Sequence, residues 1–218
     1  MAQDPFAKAS GRGYYRVSSL YFDTPDYGCF WDKEAGVAER KKLRLRYYGE
    51  SFDAKANVFA EIKRKKDALI LKDRISLPPS VCNFRDLDGY LAGLGGETDN
   101  KDFLRELRWF RLRNNLRPKV FVAYNRRAFF AKRDRRIRVT IDEDIIAQRQ
   151  VRLEAALRMP KRVYSQGAVF EVKYENVLPY WFHRILQRFE LQRLAFSKYG
   201  NSVRFLVPEY NDNNYSPV

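Results

Sequence analysis

The segment Lys42–Tyr48 (KLRLRYY) alternates cationic and apolar side chains. In an extended strand, side chains two residues apart share a face, so one face of this segment is cationic and the other is apolar. Cations held this close repel one another unless an anion lies across them. A helix would instead distribute the three charges around its circumference. The segment therefore predicts a strand with an anion-binding face, formed by Lys42, Arg44 and Arg46.

Five further segments show the same alternation and predict more strands of this kind: Val58–Lys65, Leu71–Leu77, Lys119–Arg127, Arg136–Asp142 and Val169–Tyr174. A preceding segment, Tyr14–Phe22, is rich in aromatic and β-branched residues and ends at a turn-prone DTPDYG sequence. The polar faces of the strands carry mainly cations, with Glu61 and Glu171 placed between them.

Three helices are expected between and after these strands: Asn83–Leu91, Asp102–Leu112 and Leu178–Leu194. Two arrangements satisfy the pattern. In a sandwich, the apolar faces meet and the charged faces point to water. In a closed antiparallel barrel, an α+β fold, the cations line a polar lumen and the helices cover the apolar exterior. Converging cations in a lumen need a counter-ion, which a phosphate chain would supply through arginine forks.

Composition limits the function classes. The 218 residues suit one domain, and the hydrophobic fraction of 45% is sufficient for a core. Lys+Arg 42 against Asp+Glu 27 gives a net charge of +15, which points to nucleic acid, an anionic membrane surface or a small polyanion. No apolar run is long enough to span a bilayer. Cys29 and Cys82 could form one disulfide, but two isolated thiols favour a reducing, cytoplasmic compartment.

An ordered series of motifs resembles the VTC domain, the polyphosphate polymerase module related to the CYTH-type triphosphate tunnel enzymes. The motifs are SLYFDTP (19–25), KLRLRYYG (42–49), FAEIKRK (59–65), LKDR (71–74), VAYNRRAF (122–129), RIRVTID (136–142), FEVKY (170–174) and FSKYG (196–200). Each motif is weak alone, but eight in the same order are specific. The resemblance implies a tunnel walled by antiparallel strands and transfer of the γ-phosphoryl group of ATP to a polyphosphate chain, with Mn²⁺ or Mg²⁺.

The resemblance also implies the site residues. The phosphate and nucleotide ligands that it assigns, most of them also catalytic, are Arg44, Arg46, Lys63, Lys72, Arg126, Arg138 and Lys198, with Tyr124 and Ser197 as supporting contacts. Arg74 and Arg136 are added because they share faces with matched residues. Glu171 matches the metal-holding carboxylate, and Glu61 is expected to balance neighbouring cations rather than bind metal.

Departures from the family pattern leave alternatives open. Family members begin with a further strand and helix, for which no counterpart is found before Tyr14. Residues 1–13 are interpreted as a leader or cloning remnant, 14–210 as one VTC-like domain and 211–218 as a tail. The SPX domain and membrane segments of the eukaryotic complex are also missing, which implies a stand-alone bacterial module with a possible separate membrane partner.

Three functions are therefore compared: a metal-dependent polymerase or triphosphatase, a non-catalytic module that binds polyphosphate or nucleotides, and a nucleic-acid-binding domain. The expected ligands are ATP, triphosphate and polyphosphate. A specific nucleic-acid partner is not expected, because the cations alternate with apolar residues on strands and no recognition motif is found.

Overall fold

Nine strands form one antiparallel sheet in the computed structural model, which describes residues 1–53, 56–67, 69–81, 84–93, 100–154, 157–164, 167–175 and 177–210. The strands are β1 (Ala2–Gln3), β2 (Tyr15–Asp23), β3 (Glu39–Tyr48), β4 (Val58–Lys66), β5 (Leu69–Leu77), β6 (Arg117–Phe130), β7 (Arg138–Arg149), β8 (Lys161–Arg162) and β9 (Val169–Lys173). The helices are α1 (Pro5–Ala9), α2 (Gly28–Glu34), α3 (Phe84–Gly93), α4 (Lys101–Arg113), α5 (Tyr180–Arg188) and α6 (Lys198–Leu206), followed by a 3₁₀ turn at Pro208–Tyr210.

The sheet has the order β5-β4-β3-β2-β6-β7-β8, with β1 beside β6 and β9 beside β7. Among the described residues no pairing joins β5 to β8 or β9, so the expected closed barrel is corrected to an open sheet. The residues of β5 are largely exposed, as in an edge strand, and β7 shares its outer edge between the two short strands β8 and β9. Alternation could not distinguish the two forms, because strands alternate in open and closed sheets alike.

The apolar faces of β2, β3, β4 and β6 build one core against α3 and α4. Leu20, Leu43, Leu45 and Ile62 are fully buried there, and Leu107 of α4 packs on them. Burial of such side chains contributes roughly 1.5–3 kcal/mol each. The helices α3 and α4 therefore cover the apolar face of this half of the sheet.

A second core lies on the opposite face, where α2 and α6 pack over one end of β2 and β6. It contains Tyr21, Tyr27, Val122, Tyr124 and Tyr199, among others. This cluster contradicts a lumen that is polar throughout. The tyrosines are amphipathic, so the same residues fill the core with their rings and present hydroxyls to charged neighbours.

Residues 1–13 contribute strand β1 and helix α1 in this structure. Ala2 pairs with Phe130, Gln3 pairs with Phe129, and the buried Asp4 caps α1 by accepting a hydrogen bond from the Phe6 amide. These residues were interpreted as a leader or cloning remnant because they lack the apolar centre of a secretory signal and show no clear strand or helix pattern. A two-residue strand and a five-residue helix are too short to give such a pattern. None of the described helices is long and apolar enough to cross a membrane. Cys29 is a buried free thiol, whereas Cys82 and the tail 211–218 lie outside the described residues.

Candidate functional site: a basic face centred on two buried carboxylates

The polar side chains of β3, β4 and β5 converge on Glu61, which is the centre of the first charge cluster. The Arg44 Nε lies 2.7 Å and the Arg46 Nη1 3.6 Å from Glu61 Oε2, and the Lys72 Nζ lies 2.6 Å from Oε1. Register places Glu61 directly opposite Arg44 on one side and Arg74 on the other. The side chain of Glu61 is 1% exposed. Three cations therefore surround one carboxylate, and the cluster keeps a net positive charge.

The pKa of Glu61 follows from this setting. Burial raises it, but the charges of Arg44, Arg46 and Lys72 outweigh burial and lower the pKa to about 2. The carboxylate is therefore ionised throughout the neutral range and acts as a fixed counter-ion. This agrees with the balancing role expected for it.

A second cluster is centred on Asp142 in β7, which is fully buried. The Arg126 Nε and Nη2 donate to the two carboxylate oxygens at 2.6 and 2.8 Å, and the Lys198 Nζ lies 2.6 Å from Oδ2. Burial raises the pKa of Asp142, but its bonds with Arg126 and the charge of Lys198 lower it overall. Bidentate contact through Nε and Nη2 fixes the plane of the Arg126 guanidinium.

Tyrosine rings connect the two clusters. The Arg46 Nη2 donates to the Tyr124 hydroxyl at 3.4 Å, and Arg126 and Lys198 lie 5.2 and 4.9 Å from the centre of the Tyr124 ring. The Arg44 Nη1 donates to the Tyr21 hydroxyl at 2.9 Å. Burial raises the pKa of Tyr21, but Arg44 and Arg46 lower it to about 8. We call the face that holds both clusters, together with Lys63, Arg74 and Glu171, the basic face.

Helix α6 delivers Lys198 to this face, and Asp23 holds α6 in place. Asp23 is fully buried at the end of β2, and its carboxylate accepts hydrogen bonds from the Cys29 and Phe30 amides at 2.7 and 3.1 Å. The Tyr199 hydroxyl donates to the same carboxylate. A single buried carboxylate thus joins β2, the start of α2 and the start of α6.

Three further predicted phosphate ligands, Lys63, Arg74 and Arg138, lie outside the two clusters. No carboxylate pairs with Lys63 or Arg74 within the described residues, and Arg74 lies over the Phe59 ring at 4.7 Å. Burial and the Arg44 charge lower the pKa of Lys63. Arg138 lies at the start of β7, where its Nη2 is 3.2 Å from Asp4 Oδ2.

Two predicted residues have other roles in this structure. Arg136 lies in the turn before β7, 62% exposed and bonded to Asp134 at 2.9 Å, so the strand that was expected to align it begins two residues later. The Ser197 Oγ accepts a hydrogen bond from the Gly200 amide at 3.1 Å and caps α6.

The predicted metal ligand, Glu171, is 43% exposed and pairs only at long range, 3.6 Å from Lys173 and 4.0 Å from Arg126. Burial raises its pKa, but the charges of Lys173 and Arg126 lower it overall. No group of three or more His, Cys, Asp or Glu residues in the described part of the chain could hold a metal by itself. Glu171 therefore fits a Mn²⁺ or Mg²⁺ ion only if phosphate oxygens and water complete the shell, which is a common arrangement for Mg²⁺.

Sequence reasoning missed the structural importance of Asp142, Asp23 and Tyr21. Asp142 was on the predicted face, and its position opposite Arg126 could be recognised once β6 and β7 were paired. Asp23 gave no local signal beyond a turn-prone sequence, because its partners lie on α2 and α6, up to 176 residues away.

The fold and these clusters define a basic α+β domain in which cations from several strands and from α6 converge on one face. The VTC domain family matches residues 1–207, and the chain belongs to this family. It is 28% identical over 151 residues to subunit 2 of the vacuolar transporter chaperone complex of Saccharomyces cerevisiae, covering 60% of this chain but only 18% of that protein.

Two solved structures show a more distant similarity. A candidate adenylate cyclase from Bacillus halodurans is 15% identical, with a TM-score of 0.46, and the match covers 85% of this chain and 80% of that one. A protein from Pyrococcus horikoshii OT3 is 12% identical, with a TM-score of 0.36 and coverage of 81% and 72%.

Proposed function

We propose that the domain binds ATP and polyphosphate on the basic face and transfers the terminal phosphoryl group of ATP to the chain. The observation that carries this proposal is the pair of clusters on one face, in which five cations surround two buried carboxylates. The cations are held in place before any ligand arrives. Lys63 and Arg74, which form no ion pair with a carboxylate in the described part of the chain, extend the positive surface. Membership of the VTC family supports the same substrate class.

Phosphoryl transfer suits such a site because it needs positioning and charge neutralisation more than covalent participation of the protein. The guanidinium groups of Arg44, Arg46 and Arg126 would hold phosphate oxygens, and a terminal phosphate of the acceptor chain would be the nucleophile. Glu171 would hold the divalent ion, which neutralises developing charge on the phosphate oxygens when bound. Neither a serine nor a cysteine nucleophile is required.

The test is incubation of the protein with ATP and Mn²⁺ while long-chain polyphosphate and free phosphate are both measured. We expect chain growth that falls at least tenfold in Lys63→Gln but persists in Lys101→Gln, which removes an exposed lysine from α4. Free phosphate without chains would replace the polymerase with a triphosphatase. Equal activity in the two variants would place the reaction away from the basic face.

A binding module without turnover is the second candidate, and the half-exposed, singly placed Glu171 favours it. The variant Glu171→Ala separates the two. If the domain is an enzyme, this variant loses turnover with Mn²⁺ and keeps most of its tripolyphosphate affinity. Full activity of the variant would contradict the assignment of Glu171 to the metal.

A further inference from the structure

A cavity of about 520 Å³ lies where β6 begins and β7 ends, at the opposite end of β6 from Arg126. Lys119, which lines it, is five residues from Tyr124, so the cavity is roughly 17 Å from the Asp142 cluster along the strand. The apolar cluster under α2 and α6 lies between them, since it includes both Tyr27, which lines the cavity, and Tyr124, which lies at the basic face. The cavity and the basic face are therefore separate.

The cavity is strongly cationic. Its lining includes Lys119, Arg149 and Arg158 and contains no carboxylate. No ion pair within the described residues involves any of the three. The Lys119 Nζ donates to the Pro25 carbonyl at 2.8 Å and lies 4.6 Å over the Tyr27 ring. Burial and the Arg149 charge lower the pKa of Lys119, whereas nearby Asp23 opposes this shift.

The carboxylates near the cavity are committed to other partners. Asp23 accepts hydrogen bonds from the amides that begin α2, and the Asp26 Oδ1 accepts from the Thr24 hydroxyl at 2.6 Å. Neither lines the cavity. Asp23 and Asp26 act on Lys119 only from a distance, and none of the three cations forms a close ion pair within the described residues. Positive charges in a shared concavity attract an anion.

Neutral donors complete the lining. Tyr27 is 6% exposed, and its buried hydroxyl has no hydrogen-bond partner among the described residues. A buried hydroxyl without a partner is costly, so a bound acceptor would stabilise it. Gln148 accepts from the Met159 amide at 3.1 Å, which ties the segment bearing Arg158 to β7.

From these contacts we propose that the cavity is a second binding site for a short phosphate chain, of the size of pyrophosphate or tripolyphosphate. Lys119, Arg149 and Arg158 would neutralise the phosphate oxygens, and the Tyr27 hydroxyl would donate to one of them. Guanidinium groups match phosphate geometry, and the cavity brings two of them together with a lysine. The site does not depend on the proposed transfer reaction, since it needs neither turnover nor metal.

The experiment is calorimetric titration with tripolyphosphate at fixed ionic strength, without ATP or metal. The wild-type protein should bind two equivalents. Arg149→Gln/Arg158→Gln should weaken one of them at least tenfold and leave the other unchanged, and Tyr27→Phe should weaken the same one. Lys63→Gln/Arg74→Gln should affect only the other equivalent.

The matched control is Arg105→Gln/Arg108→Gln, which removes the same charge from the exposed face of α4. If the cavity variant titrates like this control, the proposal is wrong. A single equivalent in the wild type that only the Lys63/Arg74 variant weakens would also overturn it. All substituted arginines are exposed, and thermal melting of each variant verifies that it is folded.

Discussion

At the scale of single residues, Glu61 determines whether Arg44, Arg46 and Lys72 can share one face. Its side chain is 1% exposed, and removing its charge would leave three converging cations without their internal counter-ion. Loss of one partner from a buried ion pair costs about 3–5 kcal/mol. We expect Glu61→Gln to lower the free energy of unfolding by about this amount in urea titrations at pH 7.

Glu106→Gln is the matched control, because Glu106 also contacts two cations, Lys41 and Arg64, but is 23% exposed. The Glu106→Gln substitution should lower the free energy of unfolding clearly less than Glu61→Gln does. Similar losses in the two variants would show that burial of Glu61 is not important for stability.

The same residue predicts a pH dependence. The pKa of Glu61 is lowered to about 2 in the folded protein from an ordinary value of about 4.5. The contribution of Glu61 to the free energy of unfolding is therefore complete above pH ~4.5 and is lost as the pH falls towards 2. Between these limits the wild-type protein should lose more stability than Glu61→Gln, as measured by urea midpoints at pH 5 and pH 3. Parallel losses would contradict this assignment.

Ser197 allows its two roles to be separated. Because its hydroxyl caps α6, Ser197→Ala should lower stability by about 1 kcal/mol and reduce the melting temperature. The affinity for tripolyphosphate, measured at a temperature at which the variant is still folded, should change little because Lys198 remains. A tenfold loss of affinity with an unchanged melting temperature would instead support the phosphate contact that the family resemblance implies.

At the scale of elements, Asp23 fixes the position of α2 and α6 relative to β2. Asp23→Asn keeps the size of the side chain but removes the charge and replaces one acceptor with a donor. Hydrogen bonds to charged groups contribute about 1.5–3 kcal/mol each. We expect a loss of about 2–4 kcal/mol, together with faster amide exchange in α6 and weaker binding at Lys198.

Asp26→Asn serves as the control, because Asp26 is exposed and bonds to Thr24 nearby in sequence. It should leave the exchange of α6 unchanged. If amide exchange in the Asp23 variant becomes faster only in α2, the hydrogen bond from the Tyr199 hydroxyl does not hold α6 in place.

The sequence predicted elements well where alternation was regular. Strands β3, β4 and β5 differ from their predicted bounds by at most three residues, because charged and apolar positions alternate throughout them. The prediction was less accurate for β7, which extends to Arg149 beyond the predicted end at Asp142. A register shift between Ala123 and Asn125 of β6 interrupts the pairing and the alternation there.

Helix α5 and residues 1–13 show where prediction from residue spacing fails. The apolar spacing of 178–194 predicted one long helix, but α5 ends at Arg188, followed by Glu190 at a positive φ of 51°. Spacing cannot reveal such an end without a glycine or proline. Residues 1–13 gave no periodic signal because their strand is only two residues long. Among the site residues, the strand cations were predictable, whereas Asp23 depends on contacts distant in sequence.

At the scale of the whole molecule, the net charge of +15 is divided between a structured face and a dispersed surface. Five cations are held against buried carboxylates, whereas many others, such as Arg105 and Arg108, point to water. A dispersed positive surface attracts any polyanion with an affinity that falls steeply with salt. A preorganised face favours a small, dense anion, because its cations need no reordering.

This difference predicts which polyanion the protein prefers. At about 0.15 M salt, tripolyphosphate should raise the melting temperature and displace a fluorescent polyphosphate probe. Duplex DNA at equal charge concentration should displace little of the probe, and its residual binding should weaken by orders of magnitude between 50 and 200 mM salt. Arg105→Gln/Arg108→Gln should reduce only the DNA binding. If DNA competes better than tripolyphosphate at 0.15 M salt, the dispersed surface is the main binding site, and the basic face is a structural feature of the sheet.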